Sequence, residues 1–312
     1  MPKALIPSPQ APSAIVMIRP HHFAVNAETA ADNMFQNSGP TSDDISVRAH
    51  DEITVAAATL EGVGVRVHLF EDKGTDTPDS VFPNNWFSTH GDGRIALYPM
   101  MAPSRRRERR DDVIDLLRRE YVVREVVDFS PLEQDGLYLE GTGALILDHL
   151  HQVAYVARSG RAMDRAIEKF CAAFDYEPLV FDAFDEQGTA VYHTNVVMGL
   201  GSDLAMISLG MIPSDRQRDV VSRRLEETGR TIIDLTAAQI GAFAGNVIEL
   251  QGAQGPVFAL STTAYRALTA EQQQQIEKSV RLVPLDMPTV ELSGGSVRCT
   301  IAGVHLTPRG AP

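Results

Sequence analysis

Cysteine is nearly missing from this chain: Cys171 and Cys299 are the only two in 312 residues, over a hundred positions apart. That rules out a disulfide framework and a thiolate zinc cluster. Positive charge is also short, with 28 Lys and Arg against 41 Asp and Glu and a net charge of −13. A nucleic acid or an anionic membrane would need clustered cations, so neither is expected as a partner. A small substrate remains compatible, because a pocket can be locally basic on an acidic protein. No apolar run approaches the roughly 20 residues that span a bilayer. The first dozen residues lack the charged start and apolar centre of a signal peptide, so cytoplasmic residence is expected. No Gly-rich turn of dinucleotide-binding type follows the first predicted strand. No metal and no organic cofactor is expected.

What is present is ordinary globular composition, 44% hydrophobic and 22% charged, on a chain long enough for one large or two ordinary domains. Periodicity predicts helices over 26–37, 104–119, 160–174, 214–228 and 269–279, most of them starting at or just after Ser, Thr or Asn. Between them lie β-type runs at 14–18, 64–69, 94–97, 152–155, 204–207, 231–235 and 257–260. Five further segments share one form, a small or polar turn leading into an apolar strand: PNNWFST, EGTGALIL, YHTNVVMG, FAGNVIEL and GGSVRCTIAG. With Asn85, Gly143, Asn195, Asn246 and Arg298 as equivalent points, the intervals are 58, 52, 51 and 52 residues. A period of about fifty residues with one helix per interval reads as a repeat. The expectation is an α/β fold of five strand–helix modules around an axis, helices outside, forming one catalytic domain over residues 1–312. A doubly wound sheet is the alternative. In the five-module arrangement the five turns converge, and with them residues far apart in sequence.

Those turns carry Asp79, Asn84 and Asn85 on the first, Glu140 on the second, His193 on the third and Cys299 on the last. A thiol, an imidazole and a carboxylate supply attacker, base and orienter. Each residue also has a plainer reading. His193 beside an aliphatic strand could be a hydrogen-bonded core histidine, and Arg105 opens a basic run that could be a solvated helix face. Arg161 could be an ordinary surface residue. Cys171, at helical spacing among apolar neighbours, reads as buried filler. His21 and His22 look ligand-like but lack carboxylate or thiol companions, so local packing or the lining of a substrate loop is expected there rather than a metal. His90, His149, His151 and His305 have no evident partner.

PDSVFPNNW (78–86), APSRR (102–106), EGTG (140–143), His193 and GGSVRC (294–299) occur in that order, and together they resemble the guanidine-modifying, or pentein, superfamily. Its members include arginine deiminase, agmatine deiminase and dimethylarginine dimethylaminohydrolase. RPHHFAVNAETAADNMFQ, FPNNW and EGTGALILDH are most similar to its citrulline-utilization hydrolase branch. The resemblance runs from about residue 15 to 306 and implies a five-bladed α/β propeller. It implies Cys299 as nucleophile, His193 as proton shuttle and Glu140 as the carboxylate orienting the imidazole. It further implies Asp79 near the amino-acid end of the substrate, and Arg105 and Arg161 on its α-carboxylate, which a planar guanidinium grips with two hydrogen bonds.

The chain departs from the arginine-acting members where they carry acids. Asn84 and Asn85 follow the first turn, Gly143 replaces the acid of an EGGD pattern, and Asn195 replaces the acid of a His-x-Asp pattern. A desolvated guanidinium without counter-charges is costly, whereas a neutral ureido group can exchange hydrogen bonds with an amide. The plainer reading is that these asparagines serve their turns. The expected function is a cysteine-dependent C–N hydrolase converting citrulline to ornithine, ammonia and carbon dioxide. An arginine or dimethylarginine deiminase, an amidinotransferase and a non-catalytic propeller binding protein are the alternatives. A small amino-acid substrate is the expected partner, with a homodimer possible.

Overall fold

The computed structural model describes residues 10–30, 33, 35, 36 and 43–310. Strand β1 (Ala14–Pro20) pairs in parallel with β2 (Arg66–Asp72). The pattern then repeats four times, as an antiparallel hairpin followed by a helix and a third strand parallel to the second. The strands are β3 (Phe87–Thr89), β4 (Arg94–Leu97) and β5 (Glu125–Asp128); β6 (Ile146–Asp148), β7 (Val153–Ala157) and β8 (Glu177–Phe181); β9 (Met198–Leu200), β10 (Leu204–Ile207) and β11 (Thr231–Asp234); and β12 (Ile248–Gly252), β13 (Gly255–Ser261) and β14 (Arg281–Leu285). The last strand, β15 (Ala302–Val304), returns to β1, with Ala14 opposite Val304. The result is five three-stranded sheets, the first completed by the end of the chain. Strands β15 and β3, β6 and β9, and β9 and β12 are neighbours, so the first strand of each hairpin faces inward. This is the five-bladed α/β propeller.

The middle strands are covered on both faces, and the sequence reflects it: β7 and β10 are buried at every position, as continuous apolar runs should be. The crossover helices are Asp43–Gly62, Asp111–Glu120, Asp164–Phe174, Asp215–Glu227 and Ala270–Ile276. The first four each bury one stripe, and Ala270–Ile276 buries Ile276. On Asp164–Phe174 the stripe is Ala166, Ile167, Phe170, Cys171 and Phe174, a helical spacing that seats one face on its sheet. Ser214 and Thr269 cap their helices by accepting from the N–H of Gln217 and Gln272.

Two helix expectations need correction. The helix over 26–37 is absent from its described residues, which hold only a 3-10 turn at Ala27–Thr29 and a bridge from Gln36 to Ser293. Asn26 spends its side chain on the N–H of Glu28 and on Asp79 and Ser104. The helix of this first repeat is instead Asp43–Gly62, whose buried stripe includes Ile45, Ala49, Ile53, Ala56, Ala57 and Leu60. Alanine-rich stripes carry little periodic signal. Residues 104–119 split into Pro103–Arg106 and Asp111–Glu120, where Arg106 at the end of the first and Arg109 between the two turn back onto the backbone oxygens of Met100, Met101 and Tyr98.

Candidate active site

The inward strands begin with the same device, a short helical turn, and the candidate residues sit on it. Asn85 ends the 3-10 turn Pro83–Asn85. Glu140 and His193 are the N-caps of the single helical turns Gly141–Ala144 and Thr194–Val197. Cys299 lies in a turn where its own N–H donates to Ser296 O. Gly294 opens that last turn with φ of +78°, and a Cβ there would collide with the Asn33 side chain. Glycine is therefore required by conformation and by space.

A small cleft brings together Asp79, Asn85, Arg105, Arg161, His193 and Cys299. Thr29, Asn33, Phe82, Tyr192, Ser293 and Gly295 complete its lining. Of the sequence-predicted residues, Glu140 and Asn84 do not line it. Glu140 is fully buried behind His193, accepting from its Nε2 at 2.9 Å with one oxygen and from the Met101 N–H at 3.0 Å with the other. That pairing makes Nε2 the donor and leaves the Nδ1 lone pair of His193 on the side of Gly143. Asn84 is fully buried outside the cleft, and neither of its amide atoms has a partner.

Charge is concentrated here. Arg105, 2% exposed, grips Glu108 with two hydrogen bonds of 2.9 and 3.0 Å and lies 3.7 Å from Asp79 and 3.6 Å from Glu140. Its fork is committed to protein carboxylates. Arg161 stands 3.5 Å from Glu140 and stacks over the Tyr192 ring at 4.9 Å. Burial pushes the Glu140 carboxyl up, but Arg161, the His193 hydrogen bond and Arg105 outweigh it and hold it below the ordinary carboxylate range. Burial lowers His193 despite Glu140, so the imidazole is neutral near pH 7. Burial raises Asp79 against the pull of Arg105 and of Asn26, and its Oδ1 has no partner.

Where arginine-acting members would carry acids, the chain offers amides. Asn85 Nδ2 lacks a partner. Asn195 Nδ2 donates to Cys299 Sγ at 3.2 Å, and its Oδ1 lacks a partner. A Cβ on Gly143 would collide with Asn85 Nδ2 and come within 2.8 Å of His193 Nδ1, so the Asn85 amide fills the space a side chain at 143 would need.

Sequence reasoning passed over several residues. Asn246 Nδ2 also donates to Cys299 Sγ, at 3.3 Å; the signal was its place in the repeat. Glu108 was legible as the i+3 partner of Arg105. Tyr192, beside His193, donates its hydroxyl to Gly294 O. Contrary to expectation, His21 has a carboxylate companion: its Nε2 is 2.7 Å from Glu71. With His50 these make a trio whose ligand-type atoms lie within 4.8 Å, but Arg19 already pairs with Glu71, which leaves a salt-bridged cluster outside the cleft. His90, His149 and His151 also have partners, in Ser88, Tyr176 and Asp148. No helix among the described residues is long and apolar enough to cross a membrane.

Solved structures share this architecture. The N-terminal domain of ArgZ, an arginine dihydrolase from the ornithine–ammonia cycle in cyanobacteria, aligns with a TM-score of 0.74 at 16% identity, over 93% of this chain and 97% of that one. A ternary complex of AgrE with ornithine and NAD+ gives 0.74 at 18%, over 95% of this chain and 40% of that one. The chain likewise spans 41% of full-length ArgZ. A cysteine-to-serine mutant of DDAH from Pseudomonas aeruginosa, complexed with citrulline, gives 0.66 at 13%, over 94% and 99%. At such identities these likenesses establish the fold. No curated protein sequence matches the chain. Residues 19–306 match the family of N,N dimethylarginine dimethylhydrolase, eukaryotic, and with nearly the whole chain covered the protein belongs to that family, within the pentein superfamily.

Proposed function

We propose that the chain is a cysteine hydrolase of a ureido amino acid, converting citrulline to ornithine, ammonia and carbon dioxide. Family membership supports the coarser assignment, a cysteine-dependent hydrolase of guanidino-type C–N bonds. The observation that carries the finer one is a pair of unpaired amide atoms, Asn85 Nδ2 on the cleft and Oδ1 of Asn195, whose amide lies against Cys299, together with the lack of room for an acid at Gly143. Buried polar atoms without partners are costly unless a ligand satisfies them. A ureido group does so: its carbonyl accepts from Asn85, and its N–H groups donate to Asn195.

In this reading neutral His193 takes the Cys299 proton on Nδ1, and the thiolate attacks the ureido carbon. The imidazolium then protonates the departing nitrogen as ammonia, leaving a thiocarbamate on sulfur. His193 next takes a proton from water, whose hydroxide attacks the same carbon. Release of Cys299 gives a carbamate that breaks down to ornithine and carbon dioxide. Glu140 holds the imidazole in one tautomer throughout. Asp79 Oδ1 receives the substrate ammonium and Arg161 its carboxylate. Arg105, committed to Glu108, favours the charged forms of Asp79 and Glu140.

Asp79 also favours a second reading, in which its unpaired oxygen serves a guanidinium and the substrate is arginine or a methylarginine. An amidinotransferase would share the same first half-reaction, and a non-catalytic binding protein would need none of this machinery. The test is release of ammonia or amine, together with the ureido or ornithine product, from citrulline, arginine, methylarginine and agmatine. The citrulline reading expects the highest kcat/KM on citrulline, and a preference for arginine sinks it. A thiol-directed haloacetamidine that fails to label Cys299 would favour the binding protein.

A further inference from the structure

We infer that Asn195 and Asn246 form an amide cradle that stabilises the Cys299 thiolate formed when His193 takes its proton. The inference rests on the reading of Cys299 as nucleophile. Both side-chain nitrogens donate to the sulfur, at 3.2 Å from Asn195 and 3.3 Å from Asn246. A thiolate accepts two such bonds strongly and a thiol only weakly, so the pair favours the anion.

The geometry is fixed from behind. Asn246 Nδ2 also donates to Asn195 O, and its Oδ1 accepts from the Arg298 N–H at 3.0 Å. One asparagine therefore ties together the turns of the third, fourth and last repeats and sets the residue before the nucleophile. Both asparagines are essentially without solvent exposure, 0% and 1%, so water does not compete for the sulfur. Asn195 and Asn246 hold equivalent positions in successive repeats, and so does Arg298 in the last.

A neutral substrate makes this arrangement necessary. A cationic guanidinium brings its own positive charge to the sulfur, whereas a ureido group brings none. The protein must then supply the stabilisation. The charged and titratable groups that share the cleft with Cys299 are Asp79, Arg105, Arg161, Tyr192 and His193. Arg298 adjoins it in sequence and interacts with it electrostatically. The arginines in the cleft already face the carboxyl groups of Asp79, Glu108 and Glu140, which leaves the two amides and Arg298 as the contributions not directed at carboxyl groups. An aspartate at 195 would place a carboxylate oxygen in the sulfur's hydrogen-bonding position and oppose the thiolate directly.

The experiment is iodoacetamide alkylation of Cys299 as a function of pH, without substrate, in a full-length Cys171→Ala background. Asn195→Asp, nearly isosteric, and Asn246→Ala are compared with the parent. The expected result is an upward move of the alkylation midpoint by about one to two pH units in each. In Asn195→Asp, kcat at neutral pH should fall and recover as the pH is raised. Thermal melting of each variant reports folding, and Asn195→Asp keeps the test open if Asn246→Ala disturbs the turn. Unchanged midpoints with diminished turnover would overturn the cradle while leaving the nucleophile in place. No alkylation of Cys299 in the parent at any pH would overturn the cradle and the nucleophile together. A preference for arginine over citrulline touches neither outcome, because no substrate is present.

Discussion

Cys171 and Cys299 are buried to nearly the same extent, 4% and 3% exposed, and the resemblance ends there. Cys171 sits on the outer helix Asp164–Phe174 among Ile167, Phe170 and Phe174, where burial alone pushes its thiol up to about 12. Cys299 sits on an inner turn, with two amide donors on its sulfur and shared lining with a neutral histidine. The same contrast separates the two layers. The outer layer buries apolar stripes, while the inner turns bury three carboxylates, two guanidiniums and amide atoms left without partners. Unpaired buried polar atoms lower stability. The inner layer is therefore where folding energy is given up for chemistry, and the outer layer is what holds it in place.

The sharpest way to break that contrast is to exchange the roles of the cysteines. Cys299→Ser should lower turnover by at least about a thousandfold with the melting temperature retained, and Cys171→Ala should leave turnover near wild type. An essential Cys171 would end the assignment. Glu140→Gln comes next. It should cost about 10²–10⁴-fold in kcat by releasing the imidazole, and it should also destabilise the fold, because Arg161 and Arg105 lose a buried counter-charge. A fall in stability with kcat intact would make Glu140 purely structural.

Asn85→Asp should reduce kcat/KM for citrulline about ten- to a hundredfold, since a carboxylate facing the ureido oxygen repels it and leaves it unpaired. Steady-state kinetics on citrulline and arginine, wild type against variant, decides it. Phe170→Ala probes the other layer: about 3–5 kcal/mol of stability lost in chemical denaturation, with KM unchanged. The smallest effect concerns pH. Burial holds the His90 imidazole well below its ordinary value, so the folded state resists protonation that the unfolded chain accepts. Its contribution is present above about pH 6.5 and is lost as pH falls from there toward the folded value. His90→Asn should therefore flatten the loss of stability between neutral and mildly acidic pH, measured by denaturant midpoints at each pH.

Much of the fold was legible because repetition amplified weak signals. Strands such as 94–97 and 204–207 coincide with β4 and β10, since buried middle strands are short apolar runs bounded by turn residues. The first repeat was misread because Asn26 looked like a helix cap, and in part it is one; its amide also fastens a distant aspartate, a commitment no local pattern displays. The helix Asp43–Gly62 was passed over because alanine, at 49, 56 and 57, fills half of its buried stripe. Cys299, His193 and, behind it, Glu140 were legible from their equivalent turns. Asn246 was visible as a repeat point and not as a sulfur ligand.

Composition and order by themselves determined the class, the five-fold repeat, the turns that carry a thiol, an imidazole and a carboxylate, and the replacement of acids by Asn84, Asn85, Gly143 and Asn195. Periodicity is a property of one chain read along its length, and so it survives without coordinates. Tertiary structure alone decided which of those residues meet. It sent Asn85 into the cleft and Asn84 away from it, spent the Arg105 fork on Glu108, turned His193 so that Nε2 faces Glu140, and set two amides on one sulfur. Such choices depend on distances between turns some fifty residues or more apart, fixed only when five sheets pack around one axis.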